Sequence, residues 1–250
     1  MTALARTVVI DTTGMHYTPL NRMIRAAVAD GAEEIVLEHV LGQRFIGNGL
    51  RGNVSIIVKG VPGGDLGMFM SGPTCTVYGN CEHAPGNTMD AGRIVIHGSA
   101  GDAVGHSMRG GEVFVRDDIG YRGGIHMKAY RDKRPVLVVG GSPRAFLGEY
   151  MAGGLLLVLG IGALPAVTER GIGSGIHGGE IFIRGFVDDW FLGVGAKKFP
   201  FTDVDRDRIR PYIEEYCRLY DSDAETLVNA DYTRIGPASA RPFANKYTWE

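Results

Sequence analysis

The sequence predicts an all-β solenoid: a right-handed parallel β-helix of about seven coils with a small N-terminal α/β cap and C-terminal helices. Three observations predict it: a glycine phrase at a fixed period, an apolar pair at a fixed distance beyond it, and an excess of glycine. Glycine followed three residues later by a large apolar residue occurs as Gly67/Met70, Gly86/Met89, Gly105/Met108 and Gly124/Met127, with 19 residues between successive glycines. Gly47/Leu50 precedes this run by 20 residues, and Gly148/Met151 and Gly173/Ile176 follow after steps of 24 and 25. Self-similarity at a fixed period of this length is the mark of a solenoid.

The pair fixes which solenoid. Five and seven residues past the apolar anchor stand Cys75 and Val77, Ile94 and Ile96, Val113 and Val115, Leu156 and Val158, and Ile181 and Ile183. Apolar residues two apart follow the period of a strand. One strand per period at the same phase stacks equivalent residues roughly 4.8 Å apart, so seven coils make a prism about 30 Å tall. The coil must also turn, and its corners need positive φ or close approach, which glycine gives cheaply. Glycine is 38 of 250 residues, about twice the usual share of roughly 7%. Corners account for the excess, with Gly110-Gly111, Gly153-Gly154 and Gly178-Gly179 marking the one before the strand. Gly105→Val is accordingly expected to strain a corner and cost a few kcal/mol. A left-handed hexapeptide helix is excluded by the period, and a nine-residue calcium repeat by the lack of Asp after the glycines. The right-handed sense comes from the general crossover preference.

Residues 1–46 form the expected cap. Thr7–Asp11 has the pattern of a strand, Thr18-Pro19 offers a helix start, and Leu20, Met23, Ile24, Ala27 and Val28 recur at helical spacing before Gly31 ends it. Ile35–Val40 is the strand entering the coils. Residues 47–201 carry the repeats, with extra length at Asp117–Pro135 and Gly160–Gly175, and Phe186–Phe201 as a partial eighth coil. In residues 202–250, Arg210–Tyr220 is expected to be an amphipathic helix with Pro211 in its first turn. Ser222 and Glu225 have the spacing of a capping box for a second helix. The stretch from Asp231 has no period and is expected to run extended.

Composition bounds the function. A net charge of −2 gives no reason to expect nucleic acid or an anionic membrane surface as partner. The longest apolar stretch, Gly153–Val167, is interrupted by glycines and a proline and is shorter than the roughly 20 residues of a membrane span. No secretion signal opens the chain. Three cysteines, Cys75, Cys81 and Cys217, are too few for an oxidising compartment. The expectation is a cytoplasmic protein.

Candidate chemistry is sparse. Gly173-Ser-Gly-Ile-His-Gly178 has the G-x-G-x-x-G spelling, but a strand follows it where a dinucleotide site needs a helix. His106, His126 and His177 lie one, two and four residues beyond their phrase glycines, so they are not expected to share a column. Cys75 and Cys81 lack zinc spacing. Thr2, as an N-terminal nucleophile, has no supporting framework. Carboxylates such as Glu112 and Glu180 sit at coil ends rather than clustered on one sheet. No catalytic, cofactor-binding or metal residue is expected. Alternation instead turns Thr76, Val95, Phe114, Leu157 and Phe182 outward as an apolar stripe. A sheet apolar on both faces is covered on both, here by the chain's own C-terminal helix or by another subunit. Phe114, Leu157 and Phe182, with the basic Arg122, Lys128 and Arg131 of the Asp117–Pro135 loop, are the candidate interface residues.

Gly-Asn-Thr-Met89, Gly105-His-Ser-Met108-Arg-Gly-Gly, Gly124-Ile-His-Met127-Lys and Leu-Gly148-Glu-Tyr-Met151-Ala-Gly-Gly resemble the C-terminal β-helix domain of the glutamate synthase large subunit. That domain belongs to the family named for its GXGXG repeats. The resemblance spans nearly the whole chain, from Gly42-Gln-Arg-Phe-Ile-Gly47 to Pro-Ala-Ser-Ala-Arg-Pro242, and is nearest to the version made as a separate polypeptide. It implies a structural subunit without catalytic residues, bracing a class-II glutamine amidotransferase subunit and an FMN-dependent, iron–sulfur glutamate synthase subunit in a hetero-oligomer. FMN and the iron–sulfur cluster then belong to the partners and no cofactor to this chain, which lacks a cysteine cluster. One of the subunits of the formylmethanofuran dehydrogenase and formyltransferase/hydrolase complexes is a more distant likeness. A free-standing carbohydrate-acting β-helix is the third possibility.

Overall fold

Apolar pairs at a fixed period fold as one strand per coil. In a computed structural model that describes residues 6–239, β2 (Glu34–Leu41), β3 (Ser55–Val61), β4 (Ser71–Tyr78), β5 (Ala91–Ile96), β6 (Glu112–Val115), β7 (Val136–Val139), β8 (Ala152–Val158) and β9 (Gly178–Arg184) each pair in parallel with the next. The register makes two columns. Ile56, Cys75, Ile94, Val113, Leu137, Leu156 and Ile181 stack in one, and Val58, Val77, Ile96, Val115, Val139, Val158 and Ile183 in the other. Every one of these side chains is fully buried. Burying an aliphatic side chain of this size stabilises by about 1.5–3 kcal/mol, so the columns are the main source of cohesion between coils. The phrase anchors Met70, Met89, Met108, Met127 and Met151 fill the same interior. The chain is thus an all-β parallel solenoid.

The cap is continuous with the coils. β1 (Thr7–Asp11) pairs in parallel with β2 across α1 (Tyr17–Ala29), and the sheet runs β1 to β9 in order. The expected boundary after residue 46 falls inside the first coil, because β2 is already in register with β3 through Leu37↔Val58 and Val40↔Gly60. The N-cap of α1 is His16 rather than Thr18, its ring nitrogen accepting from the Thr18 N–H. Pro19 still lies within the first turn, where a missing N–H costs nothing. Gly31, at φ +84°, ends the helix with its N–H on the Val28 carbonyl.

The other end departs further from expectation. Residues 186–201 do add a partial coil, with Leu192 bridging Ile172 in parallel and the Gly175 N–H on the Val194 carbonyl at 2.7 Å. The chain then reverses. β10 (Ala196–Phe199) pairs antiparallel with β11 (Tyr232–Pro237), which pairs antiparallel with β9. The segment expected to run unpaired from Asp231 therefore closes the sheet. α2 (Asp203–Tyr220) starts seven residues before Arg210, because Thr202 and Asp205 form a reciprocal capping box. Pro211 consequently sits inside the helix, not in its first turn. α3 (Ala224–Val228) is capped by Asp223, whose carboxylate accepts from the Glu225 and Thr226 N–H groups, and not by Ser222. Thr2 and the end of the Pro-Ala-Ser-Ala-Arg-Pro phrase lie outside the described residues.

Candidate functional site

The outward stripe is a second, covered core. Phe114, Val138, Leu157 and Phe182 align across successive strands. They pack under Ile209, Ile213, Tyr216 and Cys217 of α2 and Leu227 and Val228 of α3. Phe114, Leu157 and Phe182 are each 0% exposed, which removes them as interface residues: the chain's own helix covers them. Polar contacts clasp that helix at its edges. The Tyr216 hydroxyl donates to the Arg116 carbonyl at 2.7 Å, and the Tyr220 hydroxyl lies 3.0 Å from the Phe114 carbonyl. Glu180 accepts from Arg234 at 2.6 Å and from Arg208, while Arg93 joins Glu112 to Glu215.

The opposite face of each coil is built from the glycine phrase. Each phrase is two overlapping four-residue turns: the His106 N–H donates to the Ala103 carbonyl (3.0 Å) and the Met108 N–H to the Gly105 carbonyl (3.1 Å). Positive φ recurs two residues before the phrase glycine, at it, and two after: Ala103 +57°, Gly105 +69° and Ser107 +53°, then Arg122 +59°, Gly124 +72° and His126 +55°, then Phe146 +64°, Gly148 +67° and Tyr150 +51°. The central position alone faces the core. A Cβ on Gly148 would stand 2.5 Å from Ile181 Cδ1. The flanking positions project outward, and their left-handed backbone is held by bonds to the next coil, such as His126 N–H to Glu149 O (2.9 Å) and Tyr150 N–H to Ser174 O (2.7 Å).

Between the residues at the end of these turns lies a cleft of about 270 Å³. One wall is Ser107, His126 and Tyr150; the other is Arg109, Lys128, Ala152 and His177. The His126 ring lies nearly parallel to that of Tyr150, 13° apart with centroids 5.3 Å distant, and His106 is 6.1 Å from His126. Burial, with the charge of His126 second, holds His106 below the usual imidazole pKa. His177 Nδ1 is 3.1 Å from the Gly175 carbonyl. The structure therefore gathers histidines that their unequal offsets seemed to scatter. Residues two and four past the phrase glycine open onto one side, because the positive-φ residue between core anchor and glycine turns its side chain out.

Of the basic candidates, Lys128 lines this cleft. Arg122 is bound to Glu149 at 2.8 Å and lies over Phe146, Arg131 lies over Tyr130, and Lys133 pairs with Asp90. Arg109 was not singled out by the sequence. Its signal is positional: it follows Met108 as Lys128 follows Met127.

The sequence profile of the GXGXG motif family matches residues 21–238. The chain belongs to the GXGXG family. An uncharacterised protein of Methanocaldococcus jannaschii is 54% identical over 251 residues, covering 96% of each chain. The GXGXG domain is found in glutamate synthase-like proteins.

Elsewhere in this GXGXG chain the reactive residue types are occupied structurally. Burial pushes the Cys75 thiol up to about 12 and Cys217 up to about 11, and raises Cys81 as well, so all three are neutral and inert at physiological pH. Gly173–Gly178 leads into β9, a strand where a dinucleotide motif needs a helix. Among the described residues no group of three His, Cys, Asp or Glu is placed to hold a metal ion. No helix among them is long and apolar enough to cross a membrane.

Proposed function

We propose that this GXGXG chain is a non-catalytic structural subunit of a cytoplasmic, multi-subunit glutamate synthase-type enzyme. The observation that carries the reading is the family match over residues 21–238, a span whose repeated residues are spent on coil packing and turns. A class-II amidotransferase subunit would release ammonia from glutamine, and a second partner, holding FMN and an iron–sulfur cluster, would join it to 2-oxoglutarate. The solenoid braces the two. Its rigidity suits that role, since its strands are locked to both neighbours by backbone bonds and its second apolar face is closed by its own helices.

Mass spectrometry of what co-purifies with the tagged native chain from its own cells tests this directly. Stoichiometric amounts of an amidotransferase and an FMN iron–sulfur protein are the expected result. Formyl-transfer subunits in their place, or a chain that comes out alone, would overturn it.

A further inference from the structure

Arg109 and Lys128 stand at the same place in successive coils, each directly after its phrase methionine. The Lys128 N–H donates to the Met108 carbonyl at 3.0 Å, so the two side chains leave the backbone one strand spacing apart, roughly 4.8 Å. Like charges directly opposite each other on adjacent strands are destabilising. Nothing in the protein offsets this pair: among the described residues neither cation has an ion pair, hydrogen bond or ring contact. The nearby carboxylates are committed elsewhere. Asp90, one coil below in the same column, is held by Lys133; Glu112 is held by Arg93 and Glu149 by Arg122. No carboxylate lines the cleft, and the remaining walls supply the Ser107 and Tyr150 hydroxyls and the rings of His126 and His177. With His177 Nδ1 against the Gly175 carbonyl, its Nε2 is the nitrogen left for a ligand.

We propose that this cleft binds a phosphate group, as a free phosphate or on a small phosphate ester or diphosphate. Two adjacent cations match two charged oxygens of one dianion, and a guanidinium with an ammonium beside it is a recurring phosphate-binding pair. Hydroxyl and imidazole groups are placed to satisfy the remaining oxygens. A cleft of about 270 Å³ is of a size for a small ligand and not for a folded partner. This inference is independent of the assembly proposed above, since it concerns a surface of the chain alone.

Isothermal titration of the full chain at low ionic strength, with inorganic phosphate and with pyrophosphate as probes, tests it. One saturable site is expected, with pyrophosphate the tighter ligand. Arg109→Gln and Lys128→Gln should each weaken it about tenfold, the value of one charge-assisted hydrogen bond. A control replacing two unpaired arginines remote from the cleft, Arg22→Gln with Arg51→Gln, should leave affinity unchanged. Absence of saturable binding to the wild-type chain at millimolar probe would overturn the proposal. Equal weakening by the control variant would do so as well, by reducing the effect to net charge. Thermal denaturation of each variant verifies that all four exposed side chains have been changed without loss of the fold.

Discussion

Replacing Gly148 by alanine separates the two demands that the phrase glycine meets. The first is backbone: Gly148 lies at φ +67°, and a left-handed conformation costs a residue with a Cβ about 1–2 kcal/mol. The second is space: the new Cβ would come within 2.5 Å of Ile181 Cδ1, in a column where Ile181 is fully buried and has no room to withdraw. Overpacking of this kind costs about 1–3 kcal/mol, so the expected loss for Gly148→Ala is about 2–5 kcal/mol. Gly105 is the internal control. Its φ of +69° is the same, but a Cβ there meets nothing closer than Met127 Sδ at 3.6 Å. Gly105→Ala should therefore lose only the backbone part, about 1–2 kcal/mol. Gly105→Val exceeds it, because a β-branched residue is a still poorer occupant of that region. Ile181→Val removes the clashing Cδ1. Alone it should cost about 0.5–1.5 kcal/mol; on the Gly148→Ala background it should cost nothing or restore stability. Urea unfolding followed by circular dichroism, on all four corners of the cycle, measures this coupling. Equal losses at Gly105 and Gly148 with an additive cycle would refute the packing half. A Gly105→Ala variant as stable as the parent would refute the backbone half.

What the sequence made legible, and what it hid, divides along the reach of its signals. The interior columns were visible because a period of 19 residues and an alternation of two leave Ile94, Val113 and Leu156 no other place to go. The left-handed Ser107, His126 and Tyr150 were not visible. Only the central glycine advertises positive φ, and the flanking positions are held there by hydrogen bonds from coil to coil that override local preference. That alternation is also why the histidines of the cleft converge although their offsets differ. The early start of α2 was masked by Pro211, which suggests a first turn, while the true signal was Thr202 with Asp at the third helical position. The cover over Phe114 and Phe182 depends on where α2 is laid down. The sequence supplied both candidate covers, and only the fold chooses between them.

The covered stripe predicts that Phe182→Ala, in a side chain 0% exposed between β9 and α2, costs about 3–5 kcal/mol in the same unfolding assay. A variant as stable as the parent yet unable to assemble would restore the stripe as an interface. A further prediction concerns alkaline pH. Burial raises Tyr216, Tyr220 and Tyr232 above the ordinary tyrosine value of 10.0, and Cys75 and Cys217 to about 12 and about 11 from an ordinary 9.0. In each case the folded state holds the proton more tightly than the unfolded chain. Stability from these groups is therefore fully present below the unfolded thiol value of 9.0. It falls as pH rises beyond that, because the unfolded chain gives up its protons first. The expected observation is a urea midpoint that is level up to about pH 8 and then drops steadily toward about pH 11. Tyr220→Phe removes one such group along with its bonds to the Ile96 and Phe114 carbonyls; it should be less stable at neutral pH but lose less between neutral and alkaline conditions. A midpoint independent of pH across that window would mean that these hydroxyls and thiols ionise as readily in the folded protein as in the unfolded chain, and the buried clasp of α2 on the sheet would have to be abandoned.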